Sequence, residues 1–192
     1  MTLHKTAIAL ACIAGFAAAP AVAGPDMAAL AREGKAVMME FGKALKGELK
    51  GAVKSGGFVH AIDVCKIKAP EIAAKVSGTK GWTVARSSHR LRNSHNEPDA
   101  FTKAAIDEFL DRQANGEDPK IMVKTGMAEE DGKTYFRMVK AIPTAKLCLN
   151  CHGETLKPEV EAALKKQYPG DRARGFKVGE MRGVFTLKKE ID

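Results

Sequence analysis

Residues Ile121 to His152 read IMVKTGMAEEDGKTYFRMVKAIPTAKLCLNCH, and this stretch decides the fold class. Ile121 to Lys124 and Lys133 to Ile142 are predicted strands, with Glu130-Asp131-Gly132 supplying the hairpin turn. A link this short joins antiparallel neighbours. Segments with helical periodicity lie before and after it. The expectation is therefore an α+β fold, an antiparallel sheet flanked by helices with a long N-terminal helix.

The stretch ends in Cys148-Leu149-Asn150-Cys151-His152. Cys-x-x-Cys-His is the attachment pattern of c-type haem. Two thiols about one helical turn apart can each form a thioether to one porphyrin, and the adjacent imidazole becomes an axial iron ligand. The sequence thus predicts one haem c, held covalently through two thioethers from Cys148 and Cys151, with His152 on the metal. Thiol–disulfide exchange and a zinc site made of Cys65, Cys148, Cys151 and His152 are the rival readings.

The N-terminus fits export. Lys5 is the only Lys or Arg of the first five residues, Thr6 to Ala19 carry no charge, and Ala21-Val22-Ala23 has the small-x-small cleavage pattern. Residues 1–23 are expected to be a signal peptide cleaved after Ala23, leaving residues 24–192 as a single haem-binding domain. The apolar run is short for a membrane span, although an uncleaved anchor is the alternative. The expected compartment is the periplasm.

Of the four cysteines, Cys12 lies in the leader and two belong to the haem motif, so Cys65 has no disulfide partner. The chain carries 31 Lys and Arg against 23 Asp and Glu, a formal +8 that becomes +7 without Lys5. That charge favours an acidic redox or signalling protein as partner, and a weak association with anionic membrane surfaces. Export argues against nucleic acid.

Between Met27 and Val53, Leu30, Val37, Phe41, Leu45 and Leu49 make a helical stripe, with Lys43, Lys46, Lys50 and Lys54 on another face. Gly56-Gly57 ends this helix. In the next segment Phe58, Ile62, Cys65, Ala69, Ile72 and Val76 recur at spacings of three and four, which sets Cys65 in an apolar face. It is there either as packing or as an iron ligand. Pro70 predicts a kink or a fresh helix start. Trp82 to Arg86 reads as a strand, Ser87 to Glu97 as a basic polar loop, and Pro98 or Asp99 to Gln113 as a helix. Pro158 opens another helix, Pro169-Gly170 closes it, and Met181 to Lys188 is a final strand.

Several separated motifs resemble one family. Ala61-Ile62-Asp63-Val64-Cys65 with Ala69-Pro70, Arg86-Ser87-Ser88, Arg92-Asn93, and Asn96-Glu97-Pro98-Asp99 precede the haem motif. Tyr168-Pro169-Gly170-Asp171-Arg172-Ala173, Gly175, Gly179 and Arg182-Gly183 follow it. Together they resemble the single-haem c-type family catalogued as a domain of unknown function, whose fold is PAS-like. Ser94 stands where proline usually follows Arg-Asn, and Phe101-Thr102 replaces a Trp-Glu pair. The resemblance implies that Cys65 is the axial partner of His152.

Arg86 and Arg92 are the candidate contacts for haem propionates, since guanidinium groups pair well with carboxylates. His60, His89 and His95 are expected to be surface or hydrogen-bonding groups, and Met138 and Met181 core residues. Tyr135 or Phe136 is expected to pack on the ring. A haem with His and Cys ligands suits a redox- or gas-responsive module. The alternative is an electron-transfer cytochrome, and a peroxidase-type enzyme is a third reading that needs an acid–base group beside an open iron.

Overall fold

The computed structural model describes residues 24–191, so the expected signal peptide lies outside the described residues. A four-stranded, wholly antiparallel sheet forms the centre, in the order β1-β4-β3-β2. Its strands are β1 (Thr83–Ser87), β2 (Val123–Glu130), β3 (Lys133–Pro143) and β4 (Met181–Ile191). Helix α1 (Met27–Lys80) packs on one face and α2 (Ala100–Ala114) on the other. The α+β expectation, with its long N-terminal helix and antiparallel sheet, describes this architecture.

Helix α1 is two helical arms joined at Gly56 and Gly57, the two residues that leave helical geometry. Gly57 has φ 75°, which glycine adopts without the Cβ clash of other residues. The first arm lays Val37, Met38 and Phe41 on Trp82, Phe136, Met138 and Leu187. Gly34 allows close approach there, because a Cβ would lie 3.0 Å from the Trp82 ring.

Of the two outcomes expected at Pro70, a kink or a fresh helix start, the fresh start does not occur. The helix runs through it to Lys80. Proline cannot donate to the carbonyl of Lys66, but both residues are exposed, so water can satisfy that oxygen.

Strand β2 is longer and later than the expected Ile121 to Lys124. Its exposure alternates residue by residue, as on an edge strand, and Gly126, Glu129 and Glu130 hid that period in the sequence. The turn is the two-residue Asp131-Gly132, both with positive φ (53° and 75°), closed by the Glu130–Lys133 pair. Strand β4 also outruns its expectation, because Lys189 to Ile191 pair with Phe136 to Thr134.

Helix α2 begins at Asp99, whose carboxylate accepts from the Thr102 amide at 2.8 Å and from buried Arg137 at 2.6 Å. Burial opposes ionisation of Asp99, but the hydrogen bonds from Thr102 and Arg137 prevail and hold its pKa below the ordinary value. A lowered folded pKa contributes stability above the unfolded value, about 3.9, that is lost as pH falls through the folded one. Urea melts across the acid range should show a shallower acid limb for Asp99→Asn than for wild type.

Candidate haem site

The Cys-x-x-Cys-His segment folds as a 3-10 turn (Lys146–Cys148) running into the one-turn helix α3 (Leu149–His152). Gly153 follows because a Cβ there would lie 2.6 Å from the Leu149 carbonyl. Helix α4 (Pro158–Gln167) then packs Val160 and Leu164 on Ile62, with Phe58, Cys151 and Tyr168 at the margin. This contact brings the second arm of α1, which carries Cys65, beside the motif.

The tail after α4 laces the motif in place. The amides of Gly175 and Phe176 donate to the carbonyls of Gly153 and His152, at 3.1 and 3.0 Å. His152 Nδ1 lies 2.9 Å from the Ala173 carbonyl. A carbonyl only accepts, so Nδ1 carries the proton and Nε2 keeps its lone pair, the tautomer that metal ligation needs. Burial, followed by the nearby Arg92 and Arg182 charges, holds the imidazole well below its ordinary pKa, and it is neutral. The buried Phe176 ring stands edge-on to it at 6.2 Å.

Asp171 ties this lacing together. Its carboxylate, 3 % exposed, accepts from Arg92 Nε (3.1 Å), Arg174 Nε (3.1 Å) and the Ala173 amide (2.9 Å). Arg92 also donates through Nη2 to the carbonyls of Cys151 and Ala173, and its Nη1 lies 3.5 Å from His152 Nε2. Arg92 is thus engaged with the motif backbone. Arg86, on β1, differs: among the described residues its guanidinium has no hydrogen-bond partner, and it lines the cavity. Burial, then the neighbouring Arg182, lowers its pKa. Arg182 lines the same cavity, with a buried Nε that also lacks a partner.

That cavity measures about 920 Å³, and Cys65, Cys148, Cys151 and His152 all line it. Its size is at the upper end for cofactor pockets. Apolar walls come from Phe41, Leu49, Phe58, Ile62 and Leu91. Cys65 is half-buried; burial raises its thiol pKa against the opposing charge of Arg86. The residues fit a porphyrin: apolar walls for the ring, two thiols and an imidazole on one segment, a third thiol on another, and two unpartnered guanidinium groups for carboxylates.

A zinc cage fits less well. Among the described residues, no three His, Cys, Asp or Glu side chains converge to hold a metal ion. A porphyrin brings four nitrogens of its own and asks the chain for two ligands at most.

Other expectations divide. Neither Tyr135 nor Phe136 lines the cavity; Phe136 is fully buried against Trp82 on the sheet, and Tyr168 is the tyrosine at the site. Met138 and Met181 are core residues. His60 is exposed, and His89 packs against Phe176. His95 lines the cavity rim, held by Asn93 Oδ1. Asp171, Ala173 and Arg182 had no assigned role from sequence. Their motifs were visible, but nothing local tells which partner a tail residue will meet.

No curated protein matches the chain. A solved structure, the cyanobacterial heme-protein Tll0287, superposes with a TM-score of 0.64 over 88% of this chain and 98% of that one, at 20% sequence identity. The sequence profile of the Tll0287-like family matches residues 22–189. With nearly the whole described chain matched, the protein belongs to the Tll0287-like family.

Proposed function

We propose that this is an exported, periplasmic single-haem c-type protein that acts as a redox- or gas-responsive module. One haem c is attached through thioethers to Cys148 and Cys151, with His152 and Cys65 as axial ligands. The observation that carries the reading is the shared cavity, lined by all four of these residues from two distant chain segments. Membership of a family named for a haem protein supports it.

Bound haem supplies a one-electron couple and an iron with two axial positions. His152 offers Nε2 from a ring fixed at both its Nδ1 and its face. Cys65 would offer sulfur from α1, and a thiolate there would favour the oxidised form of the bound group. With the bound group reduced, a thiolate at Cys65 would be an uncompensated anion in a low-dielectric site, so the protonated thiol would be favoured. Cys65 would be the residue that holds that proton, drawn from solvent, and its release would be the basis of a response to a small gas. Arg86 and Arg182 hold the propionates, and Arg92 braces the motif.

The alternative, electron transfer, draws on the row of exposed lysines Lys43, Lys46, Lys50 and Lys54 on the first arm of α1. Such a row suits an acidic redox or signalling protein, or an anionic membrane surface. We do not assign catalysis, because a peroxidase needs a positioned acid–base group. His95, the histidine nearest that role, is exposed and tied to Asn93.

Absorption and electron paramagnetic resonance spectra of the haem-loaded protein beside Cys65→Ala test the reading. A low-spin thiolate signature is expected in the ferric protein and absent from the variant, and the reduced protein should take up carbon monoxide. An unchanged ferric spectrum in Cys65→Ala removes the thiolate. A reduced protein that ignores carbon monoxide returns the chain to simple electron transfer. Pigment released by acidified organic solvent removes the thioethers.

A further inference from the structure

Tyr168 brings to the cavity a polar group with no role so far. It follows directly on helix α4, and its ring packs with Phe58 and Cys151 at the margin of the cluster made by Ile62, Val160 and Leu164. It lines the same cavity as Cys65 and His152. Among the described residues its hydroxyl has no hydrogen-bond partner. A tyrosine hydroxyl withdrawn from bulk water usually has one.

A side-chain clamp fixes this residue beside Cys65. Gln167, its neighbour in the chain, donates through Nε2 to Asp63 at 2.7 Å and accepts through Oε1 from Lys66 Nζ at 2.9 Å. Lys66 Nζ also stands over the Tyr168 ring, 5.8 Å from its centroid. Asp63 and Lys66 flank Cys65 on the second arm of α1. The end of α4 is thus pinned to the helical turn that carries the thiol. Burial raises the Tyr168 pKa, and the charges that act on it are those of Arg92, Cys65, Arg86 and Asp171. The phenol therefore keeps its proton at neutral pH and is a donor.

The chemistry of the walls narrows what it can donate to. Among the described residues no Asp or Glu lines the cavity, and Arg86 and Arg92 are donors without a lone pair to offer. Asp171 already accepts from Arg92, Arg174 and the Ala173 amide. Of the groups whose charges act on the hydroxyl, the Cys65 sulfur is the one that is both an acceptor and unengaged.

We infer that Tyr168 is a positioning residue for Cys65: its hydroxyl donates to the Cys65 sulfur when that sulfur is the axial ligand, and so limits how strongly the thiolate favours the oxidised form. This rests on the axial assignment of Cys65 proposed above. A donor draws electron density from a ligating sulfur, and such hydrogen bonds are a lever by which a protein tunes the potential of a bound metal.

Redox titration of the haem-loaded protein, followed by absorption and electron paramagnetic resonance, is the test, in a cycle of wild type, Tyr168→Phe, Cys65→Ala and the double variant. Phenylalanine keeps the ring and removes the hydroxyl alone. In the wild-type background Tyr168→Phe should favour the oxidised form by about three- to tenfold, a midpoint lower by about 30–60 mV for one electron. In the Cys65→Ala background the same change should leave the midpoint where it was. If Cys65→Ala leaves the ferric spectrum unchanged, the axial assignment has failed and this inference falls with it. If that spectrum changes while Tyr168→Phe does not move the potential, the inference alone is overturned. An equal shift in both backgrounds assigns the hydroxyl to another acceptor, such as a propionate, and overturns it too.

Discussion

Asp171→Ala is expected to lower unfolding stability by about 3–5 kcal/mol, the cost of breaking a buried ion pair from one side. The carboxylate is nearly inaccessible and accepts from two guanidinium groups and a backbone amide. Its removal leaves Arg92 without its anion and Arg174 with Glu161 alone, at 3.7 Å. Arg92 then loses the anchor that aims Nη2 at the Cys151 and Ala173 carbonyls. The damage should reach His152, because the Ala173 carbonyl that fixes Nδ1 belongs to the same knot. Urea melts measure the stability. Hydrogen exchange at the amides of Ala173 and Gly175 reads the lacing directly, and both should lose protection. Asp171→Asn keeps an acceptor for the Ala173 amide and should fall between. If wild-type stability and protection persist in Asp171→Ala, the knot does not hold the motif.

Phe109→Ala is the second large effect, and it concerns the opposite side of the sheet. Phe109 is fully buried between α2 and β3–β4, among Ala105, Ile106, Met122, Val139 and Val184. Truncation of a buried phenylalanine to alanine costs about 3–5 kcal/mol, through lost transfer energy and the cavity left behind. In a domain of this size that corresponds to a fall of about 6–20 °C in Tm. The site lies across the sheet, so haem spectra of the folded variant should match wild type. A melting point within a few degrees of wild type would mean that α2 collapses into the space. The two variants together separate damage to the site from damage to the fold.

Much of the architecture was legible because its signals are local. The 3.6-residue stripes placed both arms of α1, Gly56-Gly57 marked their junction, Pro98 or Asp99 marked the start of α2, and Glu130-Asp131-Gly132 contained the turn. The fresh start offered at Pro70 failed because the effect of a proline depends on what surrounds the orphaned carbonyl, and here solvent does. Strand β2 was misjudged because an edge strand needs few apolar residues, so its period is weak. The thiols and imidazole of the motif could be read from spacing alone, for one helical turn fixes their separation. The apolar setting of Cys65 was also readable, though not what lay opposite it.

By itself the sequence determined the chemistry available at residues 148 to 152, the helical faces and the turn, since each arises from groups a few residues apart. The tertiary structure decided that Cys65 shares a cavity with His152, that Arg92 reaches across 79 positions to Asp171 while Arg86 stays unpartnered, and that β2 is left at an open edge. These meetings join segments remote in the chain. Their closure is driven by burial of apolar surface that no single segment can achieve alone, so no local pattern encodes which side chains end up face to face.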